Sequence, residues 1–279
     1  MDLNGLLPEV VALAREAGER ILEVYETDFE VQIKGDDSPL THADLAAHRT
    51  IVGGLRALTP ELPVLSEESA AIPFEERARW RRYWLVDPLD GTREFVKRNG
   101  EFTVNIALID NHEPVLGVVG VPVKNVAYYA RRGGGAWRAD SAGATQAIHA
   151  RPLPDGPPTV AGSRSHAGRS LSAFLARLGT HELVSMGSAL KSCLVAEGKA
   201  DVYPRLGPTS EWDTAAAQAV VEEAGGHVTD TAMRPLRYNT KESLLNPHFF
   251  AYGANQVDWS KYLEAEPAGA RPRPIAHGS

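Results

Sequence analysis

The hexapeptide Asp87-Pro88-Leu89-Asp90-Gly91-Thr92 follows the apolar run Tyr83-Trp84-Leu85-Val86 with no spacer between them. Such a run reads as a buried strand. The next residues force the chain out of that strand, because Pro88 has no N–H for a ladder and Gly91 has no Cβ. Two carboxylates and a hydroxyl are thereby set where the strand emerges. Carboxylates this close repel each other unless a cation lies between them. Hard divalent cations such as Mg²⁺ take carboxylate and backbone carbonyl oxygens and bridge to phosphates. Asp and Gly are also common in tight turns. Taken alone, the hexapeptide allows both readings.

A chain of 279 residues exceeds what a single core usually holds, so two domains or closely packed subdomains are expected. The net charge of −7, from 29 basic and 36 acidic residues, argues against a nucleic-acid polymer or an anionic membrane as partner. It leaves room for a local basic pocket. The single cysteine, Cys193, excludes an internal disulfide and fits a reducing cytoplasm. Its neighbours Leu190, Leu194 and Val195 mark it as a buried apolar residue and not a nucleophile. Asp2 and Glu9 stand where a signal peptide would carry basic residues, so none is expected. The longest apolar stretch, Val115 to Val123, is broken by Gly117, Gly120 and Pro122 and is too short to span a bilayer. The expectation is a cytoplasmic monomer or homodimer. A peripheral place on the inner membrane face is left open.

Apolar spacing predicts a helix over residues 3–26 and a second over 43–58, with Thr41 and Asp44 in a capping-box pattern. A β-ribbon and turn are expected over 28–39. Val64-Leu65 reads as a strand that delivers Ser66-Glu67-Glu68-Ser69, and Arg77, Arg79, Arg81 and Arg82 as a solvated helix face. From 84 to 130 the pattern predicts a meandering sheet, with turns at Asp110-Asn111 and Lys124-Asn125. The Pro- and Gly-rich segment 151–158 marks a boundary. It divides a subdomain over 1–150 from one over 151–255, and 256–279 reads as a disordered tail. The second half alternates strands (159–161, 182–185, 200–203) with helices (167–178, 187–197, 214–224).

Glu67, Asp87, Asp90 and Asp213 each lie at the end of an expected element, where α/β architectures gather active-site groups. Each also has a plainer reading. Asp213 suits a helix N-cap, Asp44 a first-turn acid, and Glu67 an exposed loop acid.

Three motifs bring these positions together: Leu65-Ser66-Glu67-Glu68, Trp84 to Thr92, and Glu211-Trp212-Asp213-Thr214-Ala215-Ala216 followed by Glu223-Ala224-Gly225-Gly226. In this order they resemble the signatures of the inositol monophosphatase superfamily, which are lithium-sensitive, Mg²⁺-dependent phosphatases. The resemblance extends from about residue 3 to 250. It implies an α/β fold, an α+β sandwich with alternating α-β-α-β-α layers. It implies two or three Mg²⁺ ions, one held by Glu67, Asp87 and the Leu89 carbonyl. A second would be held by Asp87, Asp90 and Asp213, and a third would sit near Glu67. Thr92, paired with Asp44, would activate the attacking water, since a Thr hydroxyl alone is too weak a base. The N–H groups of Gly91 and Thr92 would grip phosphate oxygens.

The second half carries the resemblance further, to the bacterial 3′(2′),5′-bisphosphate nucleotidases. It does so through Ser163 and His166 in Gly162–His166, Ser188 and Lys191 in Met186–Lys191, Arg205 in Tyr203–Arg205, and the stretch Gly91–Asn105. Inositol monophosphatases typically have an apolar residue in place of Lys191 and an acidic one near Arg205. A basic pair there favours a second phosphate. Each residue also has a bland reading, as a loop His or a solvated cation. The expected substrate is a small nucleotide bisphosphate. The expected reaction is loss of the 3′-phosphate from adenosine 3′,5′-bisphosphate and its 5′-phosphosulfate analogue, which clears a by-product of sulfate activation. The rivals are an inositol-phosphate or fructose-bisphosphate phosphatase and a non-catalytic nucleotide sensor, which would lack a metal ligand.

Overall fold

The structure, a computed structural model, describes residues 1–27, 39–163 and 168–264. Helix α1 (Leu3–Tyr25) starts where the Asp2 carboxylate accepts the N–H of Asn4 at 2.9 Å. Val10, Leu13, Ala14, Ala17 and Ile21 lie on its buried face at helical spacing. Helix α2 (Pro39–Leu58) buries Ala43, Ala47, Ile51 and Leu55, four residues apart, against the same core.

These helices cover one face of a seven-stranded sheet: β1 (Val64–Ser66), β2 (Arg82–Asp90), β3 (Thr103–Asp110), β4 (Glu113–Val121), β5 (Val126–Arg131), β6 (Ala136–Ala139) and β7 (Thr145–Ile148), paired in that order. Only the β1–β2 pair is parallel. The meander follows from tight turns. Asn111 and His112 both have positive φ, 51° and 67°, which suits the twist of a two-residue hairpin.

The second sheet has the order β11 (His227–Asp230), β12 (Phe249–Tyr252), β10 (Val202–Arg205), β8 (Thr159–Ser163), β9 (Glu182–Met186). Helices α6 (Leu190–Ala196) and α7 (Ala215–Glu223) lie between the two sheets, and α5 (Arg169–Leu178) covers the outer face of the second.

Strand alternation assigns the layers. In β2, Trp84 and Val86 enter the core with α1 and α2, while Tyr83 and Leu85 enter the core with α6 and α7. In the second sheet Ala161, Tyr203, Phe249 and Ala251 share that inner core. Val160, Val202, Phe250 and Tyr252 pack outward on Phe174 of α5 and on Trp259. Each large side chain so buried contributes roughly 1.5–3 kcal/mol. The layers therefore run α-β-α-β-α. The inner layer is thin because α7 is rich in alanine. At Gly117 of β4 a Cβ would stand 2.2 Å from the carbonyl oxygen of Ala216, so only glycine lets this helix approach.

Several expectations need correction. The short strands β6 and β7, and the pair β11–β12, extend the sheets beyond what sequence pattern suggests. The arginine-rich segment forms only a four-residue helix, α3 (Phe74–Arg77), and Arg77 is buried at 2% exposure. The disordered tail expected from 256 is corrected over its first residues, which are ordered. Trp259–Tyr262 form a 3₁₀ turn capped by Asp258, and Trp259 is buried in the outer core. The ribbon expected at 28–39 falls outside the described residues up to 38, and the cap expected at Thr41 is corrected, because α2 already begins at Pro39 and takes Thr41 into the helix. No helix among the described residues is long and apolar enough to cross a membrane.

Candidate metal and phosphate site

The β2–β3 ladder holds Asp87 opposite Asn105 and Asp90 opposite Thr103, with a bulge between the two acids. A bulge re-aims side chains at a strand end, and Pro88, with no N–H to place in a ladder, suits it. Within the bulge the buried Leu89 donates its N–H to Asp87 Oδ1 at 3.1 Å. Asp213 comes from the other half of the chain, in a 3₁₀ turn (Glu211–Asp213) just before α7. Its Oδ2 accepts the N–H of Ser210 at 3.0 Å in a capping box, so Asp213 closes that turn and does not cap α7. One carboxylate oxygen each from Asp87, Asp90 and Asp213 lies within 4.8 Å of the others.

Asp90 is the most tied of the three. Its Oδ2 accepts from the Ala189 N–H at 2.7 Å, Thr103 Oγ1 at 3.3 Å and Asn105 Nδ2 at 3.4 Å. Burial pushes its carboxyl up, and the Lys191 ammonium offsets part of that. Asp87 is pushed well above the ordinary carboxylate range, by burial first and then by Asp90, Glu67, Asp213 and Asp44. Asp213 is pushed up to about 7, by burial and by Asp90. Glu67 opens a 3₁₀ turn after β1. The residue is exposed, yet its carboxyl is raised, by desolvation first and by Glu68 and Asp90, while a hydrogen bond with Asp87 opposes the rise. Asp44 of α2 is buried and pushed up to about 8, by burial and then by Glu68 and Glu67. Its Oδ1 has no partner, and neither has the buried Asn105 Oδ1. Acids stacked in this way hold protons unless a cation replaces them. The donor set is all oxygen, as a hard divalent cation requires.

Beside the acids, Gly91 adopts φ +92° and leads into α4 (Thr92–Val96). A Cβ there would lie 3.2 Å from Ser188 Cβ and 3.3 Å from the Glu101 carbonyl oxygen, so space and conformation both call for glycine. Thr92 is exposed at the first position of α4. Among the described residues no hydrogen bond joins it to Asp44, whose carboxyl faces Glu68 instead.

A cavity of about 270 Å³ opens from Asp90, Gly91, Thr92 and Asp213 toward Ser163, Ser188, Lys191, Tyr203 and Arg205. Lys191 is 4% exposed. Its Nζ donates to the Ser188 carbonyl at 2.6 Å and the Met186 carbonyl at 3.4 Å, and lies 5.3 Å from the Tyr203 ring centre. Burial, with Arg205 nearby, lowers it to about 8 against the pull of Asp90, Glu94 and Glu101. Arg205 donates to the Pro208 carbonyl at 2.6 Å. Ser188 holds φ +42°, a strained value for a residue with a side chain, and its buried Oγ has no partner. His166 lies outside the described residues. Thus Asp87, Asp90, Asp213, Gly91, Thr92, Ser163, Ser188, Lys191 and Arg205 surround one cluster and its cavity, with Glu67, Leu89 and Asp44 at its margin.

Sequence reasoning missed Glu94 and Glu101. Both are buried, Glu94 within α4 and Glu101 in the turn that follows it, and Glu101 Oε2 accepts the Gly187 N–H at 2.8 Å. The one available signal was their place in the Gly91–Asn105 stretch. It also missed Asn105 and Thr103, whose alternation with the opposite strand shows only once the register is known.

The inositol monophosphatase family profile matches residues 2–262. The chain is 54% identical to the 3′(2′),5′-bisphosphate nucleotidase CysQ of Escherichia coli (strain K12) over 246 residues, 88% of this chain and 98% of that protein. The crystal structure of CysQ from Bacteroides thetaiotaomicron, described as a bacterial member of the inositol monophosphatase family, superposes with a TM-score of 0.83 at 42% identity. It covers 91% of this chain and 99% of that one. Inositol monophosphatase II of Staphylococcus aureus MSSA476 shares the fold, with a TM-score of 0.76 at 23% identity over 93% of this chain and 96% of that one.

Proposed function

We infer, from the premise that the chain belongs to the inositol monophosphatase family, that it is a 3′(2′),5′-bisphosphate nucleotidase. It releases the 3′-phosphate of adenosine 3′,5′-bisphosphate, and the same site takes the 5′-phosphosulfate analogue. The observation that carries this reading is one cavity with carboxylates at one end and two cations, Lys191 and Arg205, at the other. A monophosphate would use only the first end. A second, non-reacting phosphate gives the cations a partner.

Asp87, Asp90, Asp213, Glu67 and the Leu89 carbonyl would hold two or three Mg²⁺ ions. The chemistry such ions supply is charge, which favours deprotonation of water and offsets the negative phosphoryl group during its transfer. The protein does the rest. The N–H groups of Gly91 and Thr92 orient the reacting phosphate, and the Asp44 carboxylate, which faces Glu68 in this structure, turns to the Thr92 hydroxyl so that the pair receives the water proton. Ser163 and Ser188 border the nucleoside, and Lys191 and Arg205 hold the 5′-phosphate at a distance that directs the 3′-phosphate to the acids.

The test is phosphate release from adenosine 3′,5′-bisphosphate, its phosphosulfate, an inositol monophosphate and fructose bisphosphate, with and without Mg²⁺. The nucleotides should give the highest kcat/KM, and only with the metal. A higher kcat/KM on the inositol phosphate would overturn the assignment.

A further inference from the structure

Asp213 is the one member of the acidic triad that does not come from β2, so something must bring it to Asp87 and Asp90. The turn that carries it rests on residues 239–246. The Glu211 N–H donates to the Leu244 carbonyl at 2.8 Å, and Ser210 forms a bridge with Leu245. The Asn246 side chain donates to the Ser210 carbonyl at 2.6 Å and to Thr214 Oγ1 at 3.0 Å. The buried Glu211 carboxylate accepts the Asn239 N–H at 2.8 Å.

That segment is in turn held from the first half of the chain. Arg77 Nη1 donates to Asn239 Oδ1 at 2.6 Å, and Asn239 Nδ2 donates back to the Arg77 carbonyl at 2.6 Å. The same guanidinium donates to the carbonyls of Lys241, at 3.2 Å, and Glu242. Arg77 and Asn239 are 2% and 1% exposed, so these bonds are shielded from water. A buried guanidinium is expensive to desolvate, and losing its acceptors would leave it unpaired. The arrangement therefore tolerates little movement of residues 239–246.

We propose that Arg77 is a positioning residue for Asp213. By fixing the 239–246 segment it sets the turn that holds the Asp213 carboxylate against Asp87 and Asp90. The proposal rests on the reading of that triad as a divalent-cation site. Outer partners of a ligand typically govern about 10- to 100-fold of metal affinity. Arg77→Met keeps the apolar stem and removes every donor.

The experiment measures Mg²⁺ binding to the full chain by calorimetry, and separately the Mg²⁺ concentration that half-saturates turnover. Arg77→Met should weaken Mg²⁺ binding by about tenfold. kcat at saturating Mg²⁺ and KM for the nucleotide should stay within about twofold of the unmodified protein, because Arg77 touches neither. Phe174→Leu, in the outer core under α5, should lower the melting temperature and leave Mg²⁺ binding unchanged. If Arg77→Met does not fold, Arg77→Lys keeps the charge without the fork and should weaken binding by about threefold. Unchanged Mg²⁺ affinity in the folded variant, whatever its melting temperature, would reduce Arg77 to a structural role. Absence of Mg²⁺ binding to the unmodified protein would instead sink the metal reading, so the two failures are distinct.

Discussion

The carboxylate of Asp90 accepts the backbone N–H of Ala189 at 2.7 Å across 99 positions of chain. The bond joins the strand that carries the acids to the turn that frames the cavity. Asp90→Asn should keep it, because an amide oxygen still accepts, while one negative charge leaves the triad. Mg²⁺-dependent phosphate release should fall by at least a hundredfold, about 3 kcal/mol, with the circular-dichroism spectrum unchanged. Retained turnover would remove Asp90 from the metal site.

Lys191 serves two sides of the cavity. Two of its three N–H groups point at the carbonyls of Ser188 and Met186, and the ammonium remains in the cavity wall beside Arg205. Lys191→Met should weaken kcat/KM for adenosine 3′,5′-bisphosphate by on the order of 2 kcal/mol more than for adenosine 3′-monophosphate. An equal loss on both substrates would assign Lys191 to the turn alone.

Much of this site was legible in the sequence, and the boundary of legibility is physical. Asp87 and Asp90 announce themselves because Pro88 and Gly91 make the strand exit visible in six residues. Asp213 does not, since an acid before a helix is an ordinary cap, and only the joint motif order singles it out. Arg77 misleads because alternating arginines look solvated, and its acceptors lie more than 160 positions away. Glu101 and Gly187 are hidden from each other for the same reason. The fold follows this rule. Long amphipathic α1 and apolar β3 and β4 read directly, whereas four-residue β6 and β7 carry too little alternation, and the capped 3₁₀ turn at Trp259 is too short to stand out beside the Pro-, Ala- and Gly-rich stretch that follows it.

Glu101 holds the Gly187 N–H, and a Cβ at Gly187 would stand 2.6 Å from Glu94 Cγ. The pair fixes the turn that presents Ser188. Glu101→Ala should raise KM for the nucleotide by about tenfold, a loss of about 1.4 kcal/mol, and Glu101→Gln, which still accepts, should restore most of it. If Gln fails as badly as Ala, the charge and not the hydrogen bond is what the site needs.

The acidic cluster also ties stability to pH, with a definite sign. The carboxyls of Asp213 and Asp44 are raised from the ordinary 3.8 to about 7 and about 8 in the folded protein. Between those limits the folded state binds protons that the unfolded state has released, so metal-free stability falls as pH rises from about 4 and levels off above about 8. Mg²⁺ competes for the Asp213 oxygens, which must be deprotonated to bind it, and its charge lowers the neighbouring Asp44 as well. The increase in melting temperature on adding saturating Mg²⁺ should therefore be small at pH 5 and grow steadily to pH 8.5. Thermal melts with and without Mg²⁺ across that range check both halves of the expectation. A Mg²⁺ increment independent of pH would mean that the ions bind away from Asp213, and a metal-free stability that rises over the same range would contradict the raised carboxyls themselves.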